Sequence, residues 1–66
     1  MRILLNGEEH EIPAAATVAD LLELSGHAGR KVAVEVNLEV VPRSQHGSRP
    51  LAEGDRVEII HAIGGG

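Results

Sequence analysis

Met1, Ile3 and Leu5 alternate with Arg2, Leu4 and Asn6. A period of two marks a strand with one face buried. Asn6-Gly7 follows at once. Both residue types tolerate positive φ, so the pair predicts a tight hairpin. The return strand is expected over residues 9–12, ended by Pro13, and its polar character suits a sheet edge. Thr17 then opens a helix, with Asp20 three residues on as the acid of a capping box. Val18, Leu21 and Leu22 share one helical face, and Gly26 supplies a stop after about two turns. A helix this short needs a sheet to pack on. Val32, Val34 and Val36 form a third alternating strand. Asn37-Leu38 offers a turn into a short fourth strand, residues 39–41, which Pro42 ends. Residues 43–50 are polar and read as an irregular crossing loop. A turn at Glu53-Gly54-Asp55 leads into a fifth strand, where Val57, Ile59 and His61 alternate with Arg56, Glu58 and Ile60.

The order hairpin, helix, short hairpin, loop, strand predicts an α+β fold. One helix crosses one face of a mixed five-stranded sheet. Residues 1–61 form this single domain, and residues 62–66 are expected to be a flexible tail. The inward set is Met1, Ile3, Leu5, Ile12, Val18, Leu21, Leu22, Val34, Val36, Leu51, Val57 and Ile59.

Composition narrows the chemistry. The chain has 66 residues, six bases against ten acids, and a net charge of −4. It is 42% hydrophobic with no Cys and no Phe, Trp or Tyr. Without cysteine there is no disulfide framework, thiolate zinc site, iron–sulfur cluster or cysteine nucleophile. Without aromatics and with an acidic balance, nucleic-acid binding is not expected. No apolar run approaches the roughly 20 residues of a membrane span, and no signal peptide is visible, so a cytoplasmic location is expected. His10, His27, His46 and His61 stand on different elements without metal-ligand spacing, and are read as solvated or hydrogen-bonded. Glu8-Glu9 and Glu53/Asp55 lie in turns, and Ser25, Ser44 and Ser48 lack a nucleophile-elbow context. The single lysine, Lys31, belongs to no phosphate loop. With no catalytic constellation, the chain is expected to be a partner of enzymes and not an enzyme.

The end of the chain is chemically distinctive. Residues 62–66 are Ala-Ile-Gly-Gly-Gly. Extended, they reach about 17 Å. Three glycines carry no Cβ and can thread a channel that side chains would block. Ordering each residue there costs about 1–2 kcal/mol of backbone entropy, so the folded surface must supply affinity. The residues out of phase with the expected core are Leu4, Val41 and Ile60; with Arg43 and the tail base Ala62 and Ile63 they form the expected partner-binding surface.

Five segments together resemble the ubiquitin-like β-grasp proteins, and among them the ThiS family of sulfur carriers. They are MRILLNGE, TVADLLE, VAVEVNLEVVPRSQ, EGDRVEII and the terminal glycines. The resemblance spans essentially the whole chain, and Asn37 with Val41-Pro42-Arg43 is its most specific part. Gly65-Gly66 matches the family's terminal pair, with Gly64 as an additional glycine. The resemblance implies that the Gly66 carboxylate is adenylated by a ThiF-like enzyme, converted to a thiocarboxylate by a sulfur donor protein, and used by the thiazole synthase ThiG. Gly64 and Gly65 would then thread the partners' active sites. ATP and magnesium would belong to the activating partner, and the carrier itself would bind no cofactor and be monomeric when free. The competing readings are the small subunit of molybdopterin synthase, a ubiquitin-like modifier of proteins, and a plain interaction module.

Overall fold

The computed structural model describes residues 1–61. Its elements are β1 (Arg2–Leu5), β2 (Glu8–Glu11), α1 (Val18–Leu24), β3 (Val32–Val36), β4 (Glu39–Val41), a 3-10 turn (Arg43–Gln45) and β5 (Arg56–His61). The sheet order is β2-β1-β5-β3-β4. β1 and β5 are parallel, and the other three pairings are antiparallel. The mixed sheet with one helix agrees with the sequence expectation.

Each hairpin turns on two residues in the left-handed region. Asn6 and Gly7 have φ of 50° and 85°, and Asn37 and Leu38 have 53° and 71°. Two successive positive φ values match the right-handed twist of the flanking strands. The first hairpin's return strand starts at Glu8, and its neighbour Ile12 is tied back by its amide to the Met1 carbonyl at 2.8 Å.

The first turn of α1 leaves no amide stranded. Thr17 and Asp20 form the reciprocal capping box, with Oγ1 accepting from the Asp20 amide at 3.2 Å and Oδ2 from the Thr17 amide at 2.9 Å. The remaining amides find their acceptors in the crossing segment. Val18 donates to the Arg49 carbonyl at 3.0 Å, and Ala19 donates to the His46 carbonyl at 2.9 Å. Unpaired helix-end amides are costly when buried, so the loop between β4 and β5 works as a clasp on the helix. At the other end Gly26 has φ 80° and donates to Glu23 at 3.2 Å, while His27 donates to Leu22 at 2.7 Å. These two bonds close the helix in a left-handed glycine cap.

Ile3, Val18, Val34, Val36 and Val57 are essentially sealed, and Leu5, Ile12, Leu21, Leu22, Leu51 and Ile59 complete the expected core. Met1 only packs against its rim, whereas Ala16 joins it. One position corrects the expected partner-binding surface. Val41 is buried, at 3% exposure, and is not a surface residue. The two-residue turn pairs Val36 with Glu39 and hence Val34 with Val41, which puts Val41 on the inward face. Its neighbour Val40 takes the outward position and is 67% exposed. His46 is also buried, and its Nε2–H donates to the Val41 carbonyl at 3.1 Å.

Leu38 provides a test of the second hairpin. A non-glycine residue in the left-handed region costs about 1–2 kcal/mol, against about 0.5–1 kcal/mol for glycine's greater unfolded freedom. Leu38 is 81% exposed and contributes little packing. Leu38→Gly is therefore expected to raise stability in urea unfolding by about 0.5–1 kcal/mol. A loss of stability would show that the turn geometry is different.

Candidate functional site

The chemistry is expected at the end of the chain, so the relevant geometry is that of β5, the strand that precedes it. β5 lies between β1 and β3 and is paired on both sides. Against β3 the pairing runs the length of the strand, from Val36–Val57 to Val32–His61. Against β1 the ladder is short, because β1 turns away after Leu5. Leu4 donates to the Asp55 carbonyl and Asn6 to the Val57 carbonyl, each at 2.9 Å. The next amide of β5 on that side, Ile59, would have no backbone acceptor. The Asn6 side chain supplies one, with Oδ1 accepting from Ile59 at 2.9 Å. Asn37 braces the start of the strand in the same way. Its Oδ1 accepts from the Arg56 amide and its Nδ2 donates to Asp55 Oδ1, both at 3.0 Å. Two hairpin asparagines thus serve the central strand as well as their own turns. Their side-chain bonds were not visible in the sequence, where Asn-Gly and Asn-Leu carry only a turn signal.

The outward face of the sheet is divided. Ile60 lies one residue before the end of β5, 45% exposed and opposite Ala33. Leu4 is half-buried and in register with Arg56, four residues back along β5. At about 3.3 Å per residue the two positions are on the order of 13 Å apart. Between their levels Glu58 stands directly opposite Glu35, and Val40 faces Glu35 from β4. Like charges opposite one another weaken a sheet. Arg43 is exposed on the other side of the molecule, in an open cleft of about 470 Å³ that it lines with Leu22, His27, Arg30 and His46. Ala62, Ile63, Gly64, Gly65 and Gly66 lie outside the described residues. Of the expected surface, then, Ile60 stands at the root of the tail, Leu4 is on the same face at a distance, Arg43 is elsewhere, and Val41 is inside.

Among the described residues no group of three or more His, Cys, Asp or Glu converges as a metal site. No helix there is long and apolar enough to cross a membrane.

Residues 3–66 match the ThiS family. The chain belongs to that family. It is 32% identical over 66 residues to the sulfur carrier protein ThiS of Escherichia coli, covering the full length of both. It superposes on the crystal structure of the thiamine biosynthesis protein ThiS from Geobacter metallireducens with a TM-score of 0.87, at 30% identity and complete coverage of both chains. The fold is therefore the ubiquitin-like β-grasp of this family. It is also 47% identical over 66 residues to a thiazole synthase of Paramagnetospirillum magneticum, of whose length it spans 20%.

Asn6→Gly tests the brace on β5. Glycine keeps the turn geometry and removes the acceptor for Ile59. An unsatisfied donor costs about 1–3 kcal/mol, and glycine adds unfolded-state entropy. Unfolding is expected to become easier by at least about 1 kcal/mol, with the Ile59 amide exchanging faster than its neighbours in β5. An unchanged Ile59 protection factor would remove the brace.

Proposed function

We propose that the Gly66 carboxylate is the working group of this protein and that the folded domain presents it to two enzymes in turn. Membership of the ThiS family makes the chain a sulfur carrier of thiamine biosynthesis, a co-substrate and not a catalyst. The observation that carries the proposal is that the family match runs through to Gly66 and so includes the terminal glycines.

A carboxylate does not react with sulfur nucleophiles. A ThiF-like enzyme would join it to the α-phosphate of ATP, with release of pyrophosphate. Sulfide-level sulfur from a donor protein would then displace AMP and leave a terminal thiocarboxylate. ATP and magnesium would be held by that enzyme, and the carrier would work as a monomer in the cytoplasm, where ATP is available. Thiazole synthase is the proposed acceptor. The relative from Paramagnetospirillum supports this, since a thiazole synthase there carries a segment like this chain within a longer polypeptide.

Docking is assigned to the outward sheet face at the root of the tail. Ile60 is its centre and Leu4 is peripheral to it, Ala62 and Ile63 are the next apolar residues in the chain, and Arg43, in the cleft on the helix side, lies outside this face. Gly64 and Gly65 would thread the active sites. Weak tail binding lets the carrier leave after each step, because glycines lose the most entropy on ordering.

Intact mass spectrometry tests the reading. After incubation with ATP, the adenylating enzyme and a sulfur donor, the chain should gain the mass difference between one sulfur and one oxygen. Deleting Gly65 and Gly66 should abolish the gain, and Ile60→Asp should slow it about tenfold while the domain stays folded. Lysine-linked adducts in place of the gain would identify a protein modifier, and no change with these partners would overturn the carrier chemistry.

A further inference from the structure

The fold brings two imidazoles together that lie far apart in the chain. Val57, Ile59 and His61 share the inward side of β5, so His61 extends the core stripe to the rim of the sheet. His27 is the first residue after the glycine cap of α1 and is held there by the hydrogen bond its backbone N–H donates to the Leu22 carbonyl. The two rings have centroids 5.0 Å apart and planes inclined by 51°. Two imidazoles on one zinc ion, each bound at about 2.0–2.1 Å with a tetrahedral angle between them, hold their centroids about 5 Å apart.

A hydrogen bond selects the proton position that metal binding needs. The Ser25 hydroxyl donates to the Leu21 carbonyl at 2.8 Å, so its proton is committed. Ser25 Oγ also lies 2.8 Å from His27 Nδ1 and must accept there. His27 therefore carries its hydrogen on Nδ1 and its lone pair on Nε2. Metal-bound histidines are typically oriented in this way, by a partner on the second nitrogen. The cleft that His27 lines holds two acids, Asp20 and Glu23, beside two bases, Arg30 and Arg43. The other two histidines are placed differently. His46 Nε2 is engaged by Val41, and His10 stands 3.9 Å from Glu8 on the opposite edge strand.

We propose that His27 and His61 form a two-imidazole site for a borderline divalent transition ion such as zinc, with water completing the coordination, at the point where the tail leaves the sheet. Imidazole nitrogen suits zinc, nickel and copper and not magnesium or calcium.

The test is a titration of the full chain with zinc chloride, read by nitrogen-15 NMR of the imidazole side chains. His27 and His61 should shift together and saturate at one ion per chain, while His10 and His46 stay in place. His61→Gln and His27→Gln should each raise the titration midpoint by at least about tenfold, and Ser25→Ala by about tenfold with loss of the single His27 tautomer. His10→Gln should change nothing. The proposal is overturned if a tenfold excess of zinc moves neither ring, if either glutamine variant keeps the parent's midpoint, or if His10 leads the response.

Discussion

β5 runs parallel to β1 and antiparallel to β3, and the two ladders end at different levels. The β3 side is complete up to His61, whereas β1 has already turned away at Asn6. A central strand with an unfilled amide on one side would fray, and the point at which the chain leaves the sheet would not be fixed. The Asn6 side chain closes that gap at Ile59, and Asn37 closes the corresponding one at Arg56. The two hairpin turns therefore hold the strand that leads to the tail. The outward position of Ile60 and the inward position of His61 both follow from this register.

The core has to work without rings. Thirteen buried aliphatic residues fill it, and the most deeply sealed, Ile3, Val18, Val34, Val36 and Val57, are all β-branched. Val and Ile pack well on a pleated face but leave little material to cover the ends of a seven-residue helix. Backbone hydrogen bonds from the crossing segment do that work. Arg49 and His46 accept from the helix start, and the buried His46 ring in turn ties the segment to β4 at Val41. The segment that looks least regular in sequence is thus the part that locks helix and sheet together.

Much of this was legible in the sequence. Alternation over three or more positions placed β1, β3 and β5 and their buried faces, and Thr17 with Asp20 placed the helix start. Residues 39–41 are too short to carry a period of their own, so the face of Val41 depended on the turn register and was misread. The burial of His46 and the second bonds of Asn6 and Asn37 depend on partners distant in sequence. The same is true of His27 and His61, which have no ligand spacing along the chain and meet only because β5 passes the end of α1. The resemblance to the ThiS family was readable because its segments span all the elements at once. The division of the outward face by Glu35 and Glu58 was not, since it requires the pairing of β3 with β5.

On the proposed reading, the domain is a mount for a terminal acid, and the acid would carry the chemistry. Capping Gly66 as its primary amide, by semisynthesis, changes that one group and leaves the fold and every glycine in place. The decisive measurement is pyrophosphate release by the adenylating enzyme with the capped and the free chain. The account predicts release with the free acid and none with the amide, although the amide still binds and competes. Equal release with both would contradict it.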